Sequence, residues 1–147
     1  MNNPFFLFHT KNGDFMKILI TGSSSGIGFD TGVRLLKKGH FVYFTVHLDS
    51  QIETLIEKLK ELNLLKNASV FKLDITDIED RKLIYQLDVD CLLCNAAVGY
   101  GGSVLDIPIS HLEENFKVNV FSIISFTICF TSSNSLFMTL NTSSSCT

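Results

Sequence analysis

The sequence predicts an α/β protein built on a doubly wound parallel sheet, and three observations carry that prediction. Short apolar runs alternate with amphipathic stretches from Lys17 to about Ile124. The runs are nearly continuous in apolar residues, as expected of strands covered by helices on both faces. A cluster of glycines, Gly22-Ser23-Ser24-Ser25-Gly26-Ile27-Gly28, falls where the first run gives way to the first amphipathic stretch. Right-handed crossovers between such units wind the chain to both sides of the sheet.

Residues 1–15 show no period and read as an N-terminal extension, so the folded part is expected to span 16–147, with 126–147 the least defined. The apolar core of the extension, Phe5 to Phe8, is too short for a signal peptide. Ile18 to Ile20 is the first strand. Gly26 to Lys38 reads as a helix closed by Gly39. Phe41 to Val46, β-branched and aromatic, is the second strand. Asp49 to Leu62 is the clearest helix: Ile52, Leu55, Ile56, Leu59 and Leu62 share one face, and Ser50 with Glu53 has the spacing of a capping box. Ser69 to Leu73 is a third strand ending at Asp74. Thr76 and Glu79 repeat the capping-box spacing and open a shorter helix toward Leu87. Val89 to Cys94 is a fourth strand, followed by a loop with Gly99, Gly101 and Gly102. Ser110 and Glu113 form a third capping-box pair, after which Leu112, Phe116, Val120 and Ile123 or Ile124 line one face of a helix expected to be buried.

Composition narrows the function classes. A chain of 147 residues fits one domain, and 46% hydrophobic against 18% charged residues is enough for a core. Twelve basic and fifteen acidic residues give a net charge of −3, which argues against a nucleic-acid partner because phosphate contacts need clustered Lys and Arg. Four Cys and no long apolar leader point to a reducing, cytoplasmic setting. All charge lies at or before Lys117, and the last 30 residues carry none. Val120 to Phe130 is broken by Ser122, Ser125 and Thr127 and falls short of the ~20 apolar residues that a membrane span needs. No membrane partner is expected.

The glycine cluster carries the chemistry. Glycines between a strand and a helix let the backbone turn tightly and approach a pyrophosphate, whose charge is met by the helix N-terminus. The spacing is Gly-x-x-x-Gly-x-Gly with Thr21 in front, and it resembles the short-chain dehydrogenase/reductase family. Leu73-Asp74-Ile75 resembles that family's Asp after the third strand. Cys94-Asn95-Ala96-Ala97 resembles its Asn-Ala-Gly motif, with Ala97 in place of Gly, and Val118-Asn119-Val120 resembles the Asn of the following helix. The four motifs occur in family order over residues 17 to about 124.

The resemblance implies a Rossmann-like fold and hydride transfer between a nicotinamide dinucleotide and a small carbonyl or alcohol. Gly22, Ser24, Ser25, Gly26, Ile27 and Gly28 would cradle pyrophosphate and ribose. Asp74 would hold the adenine, Asn95 would sit beside the nicotinamide ribose, and Asn119 would help position a catalytic lysine through water. An acid ending the second strand favours NAD and a base favours NADP. The strand ends Thr45-Val46-His47, and His47 stands where NADP-dependent relatives commonly carry Arg. Asp49 is the rival, although beside Ser50 it is read here as a helix starter. The balance favours NADP, with NAD the alternative. The family also leaves room for a homo-oligomer.

The family's Tyr-x-x-x-Lys dyad is missing: Tyr43, Tyr85 and Tyr100 are followed four residues later by His47, Val89 and Val104. Tyr ordinarily titrates near ~10, so without the cation it is a poor base at neutral pH. Leu136 to Ser144 resembles the family's fifth strand, with Ser144 matching its catalytic serine. The alternative is a low-complexity Ser/Thr tail. On that match the chain stops before the dyad, and no turnover is expected from it alone. Two rivals remain: a non-catalytic dinucleotide-binding module and a truncated product that folds poorly. Cys91 and Cys94 form C-x-x-C, but residues three apart on a strand point to opposite faces and do not chelate one metal.

Overall fold

The apolar runs become four parallel strands, β1 (Lys17–Ile20), β2 (Phe41–Val46), β3 (Ala68–Lys72) and β4 (Cys91–Leu93), in the sheet order β3-β2-β1-β4. This computed structural model describes residues 15–103 and 105–133. In register, Ile18 lies beside Val42 on one side and Cys91 on the other, and Val42 lies beside Ala68. The order places β1 between β2 and β4, so the chain reverses its direction of winding at β1. That reversal defines the crevice at the C-terminal strand ends where ligands of open α/β sheets lie.

Helices α1 (Gly26–Lys37) and α2 (Ser50–Glu61) connect the first three strands, and the short α3 (Ile78–Lys82) runs into a 3-10 turn, Leu83–Gln86. α4 (Ile109–Phe116), a π-helical turn (Lys117–Ser122) and α5 (Ile123–Ser133) form one continuous helical rod after β4. Successive strand side chains point to opposite faces, and β1 divides its residues accordingly. Ile18 and Ile20 join Val42, Phe44, Val46, Leu36, Leu55 and Leu59 in the core under α1 and α2. Leu19 joins Leu73, Ile75, Ile84, Val89, Val118, Phe126 and Cys129 in the core on the other face. Each fully buried Leu, Ile or Phe contributes roughly 1.5–3 kcal/mol relative to exposure, so both layers hold the sheet. Met16 is already tied to it, since Phe41 N–H donates to Met16 O at 2.9 Å.

Several local expectations change. None of the three capping boxes forms. Asp77, not Thr76, caps α3, its Oδ1 accepting from the N–H groups of Glu79 at 2.7 Å and Asp80 at 3.1 Å. Thr76 instead bonds back to Asp74. α2 is preceded by Asp49 and α4 by Pro108, neither with a side-chain capping bond. Gly39 does follow α1 as expected, with φ +91°.

The larger change is the face of the last helix. Leu112, Phe116, Val120 and Ile124 are exposed, Phe116 at 59%, whereas Val118, Ser122, Phe126 and Cys129 are buried. Beyond Lys117 the rod is apolar nearly all round, so periodicity alone does not choose a face. Asn115 and Asn119, four residues apart and therefore on one side, bind the loop after β4 and turn the rod. The π turn, which bonds i to i+5, shifts the phase further.

Candidate functional site

The site begins where β1 leaves the ladder. At Gly22 the chain turns with φ +62°, and a Cβ there would stand 2.6 Å from the Cα of Ala96. Only glycine meets both conditions. The turn is then stitched to its neighbours by buried hydroxyls. Ser23 N–H donates to Thr45 O at 2.8 Å, and Ser23 Oγ accepts from Thr45 N–H at 2.9 Å. Thr21 Oγ1 accepts from the N–H groups of Asn95 at 2.9 Å and Ala96 at 3.0 Å. Asn95 returns the tie, its Nδ2 donating to Thr21 O at 3.1 Å and Gly22 O at 2.8 Å. A Cβ on Gly28 would come within 2.5 Å of that Nδ2. Gly22, Gly28 and Asn95 therefore lie together, as the motif spacing suggests.

The rest of the glycine turn faces outward. Ser25 precedes α1 in extended conformation without a side-chain capping bond, and the first N–H groups of a helix have no partner within it. Gly26 (φ +56°) has nothing within 4 Å of where its Cβ would stand, and Ile27 is 80% exposed. Ser24 is half-buried. The combination is an open, positively polarised amide end beside an exposed apolar side chain.

The second group lies at the ends of β2 and β3. His47 is exposed, with Nδ1 3.7 Å from Oδ2 of Asp74. The other oxygen of Asp74 accepts from Thr76 N–H at 2.8 Å and Thr76 Oγ1 at 2.7 Å. Desolvation pushes the Asp74 carboxyl upward, but the two Thr76 bonds, His47 and Lys72 outweigh it and hold the group below the usual carboxylate range. Asp80 accepts from Asp74 N–H at 2.8 Å and from Lys72 Nζ at 3.0 Å. The reading of Asp49 as a helix-capping side chain does not hold, because it stands before α2 without a capping bond and is exposed.

The third group is the loop after β4. Asn119 takes Val98 in a two-point clamp, Oδ1 accepting from Val98 N–H at 2.9 Å and Nδ2 donating to Val98 O at 2.7 Å. Asn115 does the same to Tyr100, at 3.1 and 3.0 Å, and the Tyr100 ring stacks on His111 at 4.6 Å. Sequence reasoning singled out Asn119 but missed Asn115, whose signal is the four-residue spacing. It also gave no role to Ser23 and treated Thr21 only as part of the motif. Ser144 lies outside the described residues. Cys91 and Cys94 sit on and just after β4, burial pushes the Cys91 thiol up, and no metal-binding cluster occurs among the described residues. No helix among the described residues is long and apolar enough to cross a membrane.

Comparison with known proteins agrees with this layout. The family model described as short chain dehydrogenase matches residues 16–135. An uncharacterized oxidoreductase of Bacillus subtilis, YusZ, is 31% identical over 114 residues, covering 74% of this chain and 40% of that protein. The (-)-isopiperitenone reductase of Mentha piperita is 32% identical over 109 residues, covering 67% and 35%. The chain thus spans about 40% or less of the length of these two curated relatives. Among solved structures, an actinorhodin polyketide ketoreductase with NADPH superposes with a TM-score of 0.73 at 22% identity, covering 82% of this chain and 48% of that one. A Burkholderia cenocepacia short chain dehydrogenase in complex with NADP gives 0.68 at 22% identity, over 80% of this chain and 50% of that one. With a doubly wound sheet, a glycine turn against Asn95 and a family match over most of its length, this chain belongs to the short chain dehydrogenase family.

Proposed function

We propose that the chain binds a nicotinamide dinucleotide across the C-terminal ends of its strands and forms the cofactor-holding part of an oxidoreductase acting on a small carbonyl or alcohol. The observation that carries this is the uncapped amide end of α1, with open space in front of Gly26. An anionic pyrophosphate fits such an end, and a Cβ at Gly26 would stand in its path. The unit that would do this begins at Met16, and its four thiols suit a reducing, cytoplasmic compartment.

In this reading Gly22, Ser24, Ser25, Gly26, Ile27 and Gly28 hold pyrophosphate and ribose, and the exposed face of Ile27 packs on the nicotinamide side. Asp74 meets the adenine and Asn95 the nicotinamide ribose. His47 meets the 2′-phosphate of NADP, with NAD the alternative. The bound dinucleotide would supply the carbon that gives or takes hydride. Asn119 acts by fixing the backbone of Val98, and so the loop that carries Asn95. Ser144 would polarise the substrate oxygen. No Tyr in the 147 residues is followed four places later by Lys, so this chain is assigned binding and orientation rather than proton transfer.

Calorimetric titration with NADP+ and NAD+, run beside size-exclusion chromatography and a cofactor-oxidation assay over a broad carbonyl panel, tests this. Saturable one-site binding by a monodisperse chain, without turnover, is expected. A well-folded chain that binds neither dinucleotide would refute the binding assignment, and a robust turnover rate would refute the division of labour. Aggregation without binding would favour the poorly folding product.

A further inference from the structure

In the dinucleotide reading above, the loop after β4 starts beside the nicotinamide ribose at Asn95, and the helical rod sets its course. His111, Asn115 and Asn119 stand four apart, so they follow one side of the rod. Each meets the loop. His111 stacks on the Tyr100 ring with centroids 4.6 Å apart, Asn115 takes the Tyr100 backbone at 3.1 and 3.0 Å, and Asn119 takes Val98. Val98 and Tyr100 are alternate residues, and each gives both its N–H and its C=O to one asparagine. A neighbouring strand would hold an extended segment in the same way, through both groups of every second residue. Nearer β4, the N–H groups of Asn95 and Ala96 are held by Thr21. The loop is therefore pinned at 95–96, at 98 and at 100.

Beyond Val98, packing does little to hold the loop. Tyr100, itself 44% exposed, stands between Gly99 and Gly101, and a Cβ at either glycine would have no heavy atom within 4 Å. Glycines lose the most freedom when a chain is ordered. We propose that Asn115 is a positioning residue for the nicotinamide half of the bound dinucleotide: its side-chain amide fixes the Tyr100 backbone and so sets the loop that starts at Asn95 before the ligand arrives. Asn119 does not do this alone, because it holds Val98, on the near side of Gly99. Without Asn115 the ligand must order the loop itself, and its affinity falls by that cost. The adenosine half is read at the ends of β2 and β3, which lie across β1 from β4 and its loop. Its binding is therefore independent of Asn115.

The inference rests on the dinucleotide reading, and its test separates the two. Dissociation constants are measured on the full chain for NADP+ and NAD+ and for their adenosine-half fragments, 2′,5′-ADP and ADP, with Asn115→Ala and Asn115→Gln alongside. Asn115→Ala is expected to weaken the whole dinucleotide about 5-fold, near the lower end of the cost of ordering one residue's backbone, and to leave its fragment unchanged. Hydrogen exchange at the Tyr100 amide should quicken in the same variant, while that at Val98, held by Asn119, stays slow. Asn115→Gln keeps both polar groups one methylene further out and should recover part of the loss. Ala is a better helix former than Asn, so α4 keeps its fold, and the urea midpoint reports any wider damage. Equal weakening of dinucleotide and fragment, or no weakening of either, would overturn the positioning role while the binding site stands. If no dinucleotide binds the unaltered chain, both readings fall.

Discussion

Gly28→Ala tests the construction of the site through a single methyl group. The added Cβ would stand 2.5 Å from Asn95 Nδ2, 2.9 Å from Gly22 O and 3.0 Å from Ser23 Cα. Two of those three neighbours are backbone held in a stitched turn, so Asn95 is the one that yields. Its displacement breaks bonds to Thr21 O and Gly22 O, at about 1 kcal/mol each. The backbone contacts add about 1–3 kcal/mol of overpacking, and the better helix propensity of Ala returns up to ~1 kcal/mol. With that ~1 kcal/mol returned, the net loss is about 2–4 kcal/mol, read as a urea midpoint lowered by about 1–2 M at unchanged slope. Binding of NADP+ should weaken at least ~10-fold, since the amide end moves with the turn. In an Asn95→Ala background the same substitution should cost about 1–2 kcal/mol less, because the bonds it breaks are already gone. A midpoint within error of the unaltered chain, or full additivity with Asn95→Ala, would refute the packing argument.

Thr21→Val should cost about 2–4 kcal/mol in urea unfolding, because it strips the acceptor from two inward N–H groups, while Thr21→Ser should retain most of the stability. The Asp74 carboxyl is held below its unfolded-state value of ~3.9, so its contribution is complete above that value and is lost as pH falls through the folded one. Urea midpoints taken downward from pH 5 should therefore fall further for the unaltered chain than for Asp74→Asn. For the rod after β4, Phe126→Ala should cost about 3–4 kcal/mol as a cavity in the core, and Phe116→Ala less than ~0.5 kcal/mol. Equal losses would mean that the face carrying Phe116 is covered.

What the sequence revealed, and what it hid, follows from the range of the interactions involved. Ile18 to Ile20 and Val42 to Val46 were legible because a strand buried on both faces must be apolar throughout, and the glycine turn because few other residues meet its backbone demands. The capping boxes were not. Ser50, Thr76 and Ser110 have the right spacing to Glu53, Glu79 and Glu113, but Asp77 stands one residue closer to its helix than Thr76 and takes the amides first. Asp74 then occupies the Thr76 hydroxyl. The orientation of the rod after Lys117 was also hidden, since Leu112, Phe116, Val120 and Ile124 are as periodic as Val118, Ser122, Phe126 and Cys129. Two asparagines decide between them by bonding a loop 15 to 21 residues earlier in the chain, a contact that no local pattern records.

Where strands end, the backbone leaves the ladder and its amides need other partners. In this crevice the sequence supplies nearly all of them from within: Thr45 N–H from Ser23, Asn95 and Ala96 N–H from Thr21, Val98 N–H from Asn119 and Tyr100 N–H from Asn115. Those side chains are Ser, Thr and Asn, which are neutral and short. They satisfy these loops without adding charge, whereas at the end of β3 a carboxylate does so, Asp80 accepting from Asp74 N–H at 2.8 Å. The start of α1 makes no side-chain capping bond, as those of α2 and α4 do not, but it is the one that follows the glycine turn, with open space in front of Gly26. An uncapped helix end forgoes about 1 kcal/mol, and a bound anion is the partner that would restore it. The polar residues around the crevice thus mostly close the protein's own hydrogen bonds, whereas α1, α2 and α4 all start without a side-chain cap. Among these uncapped ends, the glycine turn and the space before Gly26 support the proposed pyrophosphate position at α1.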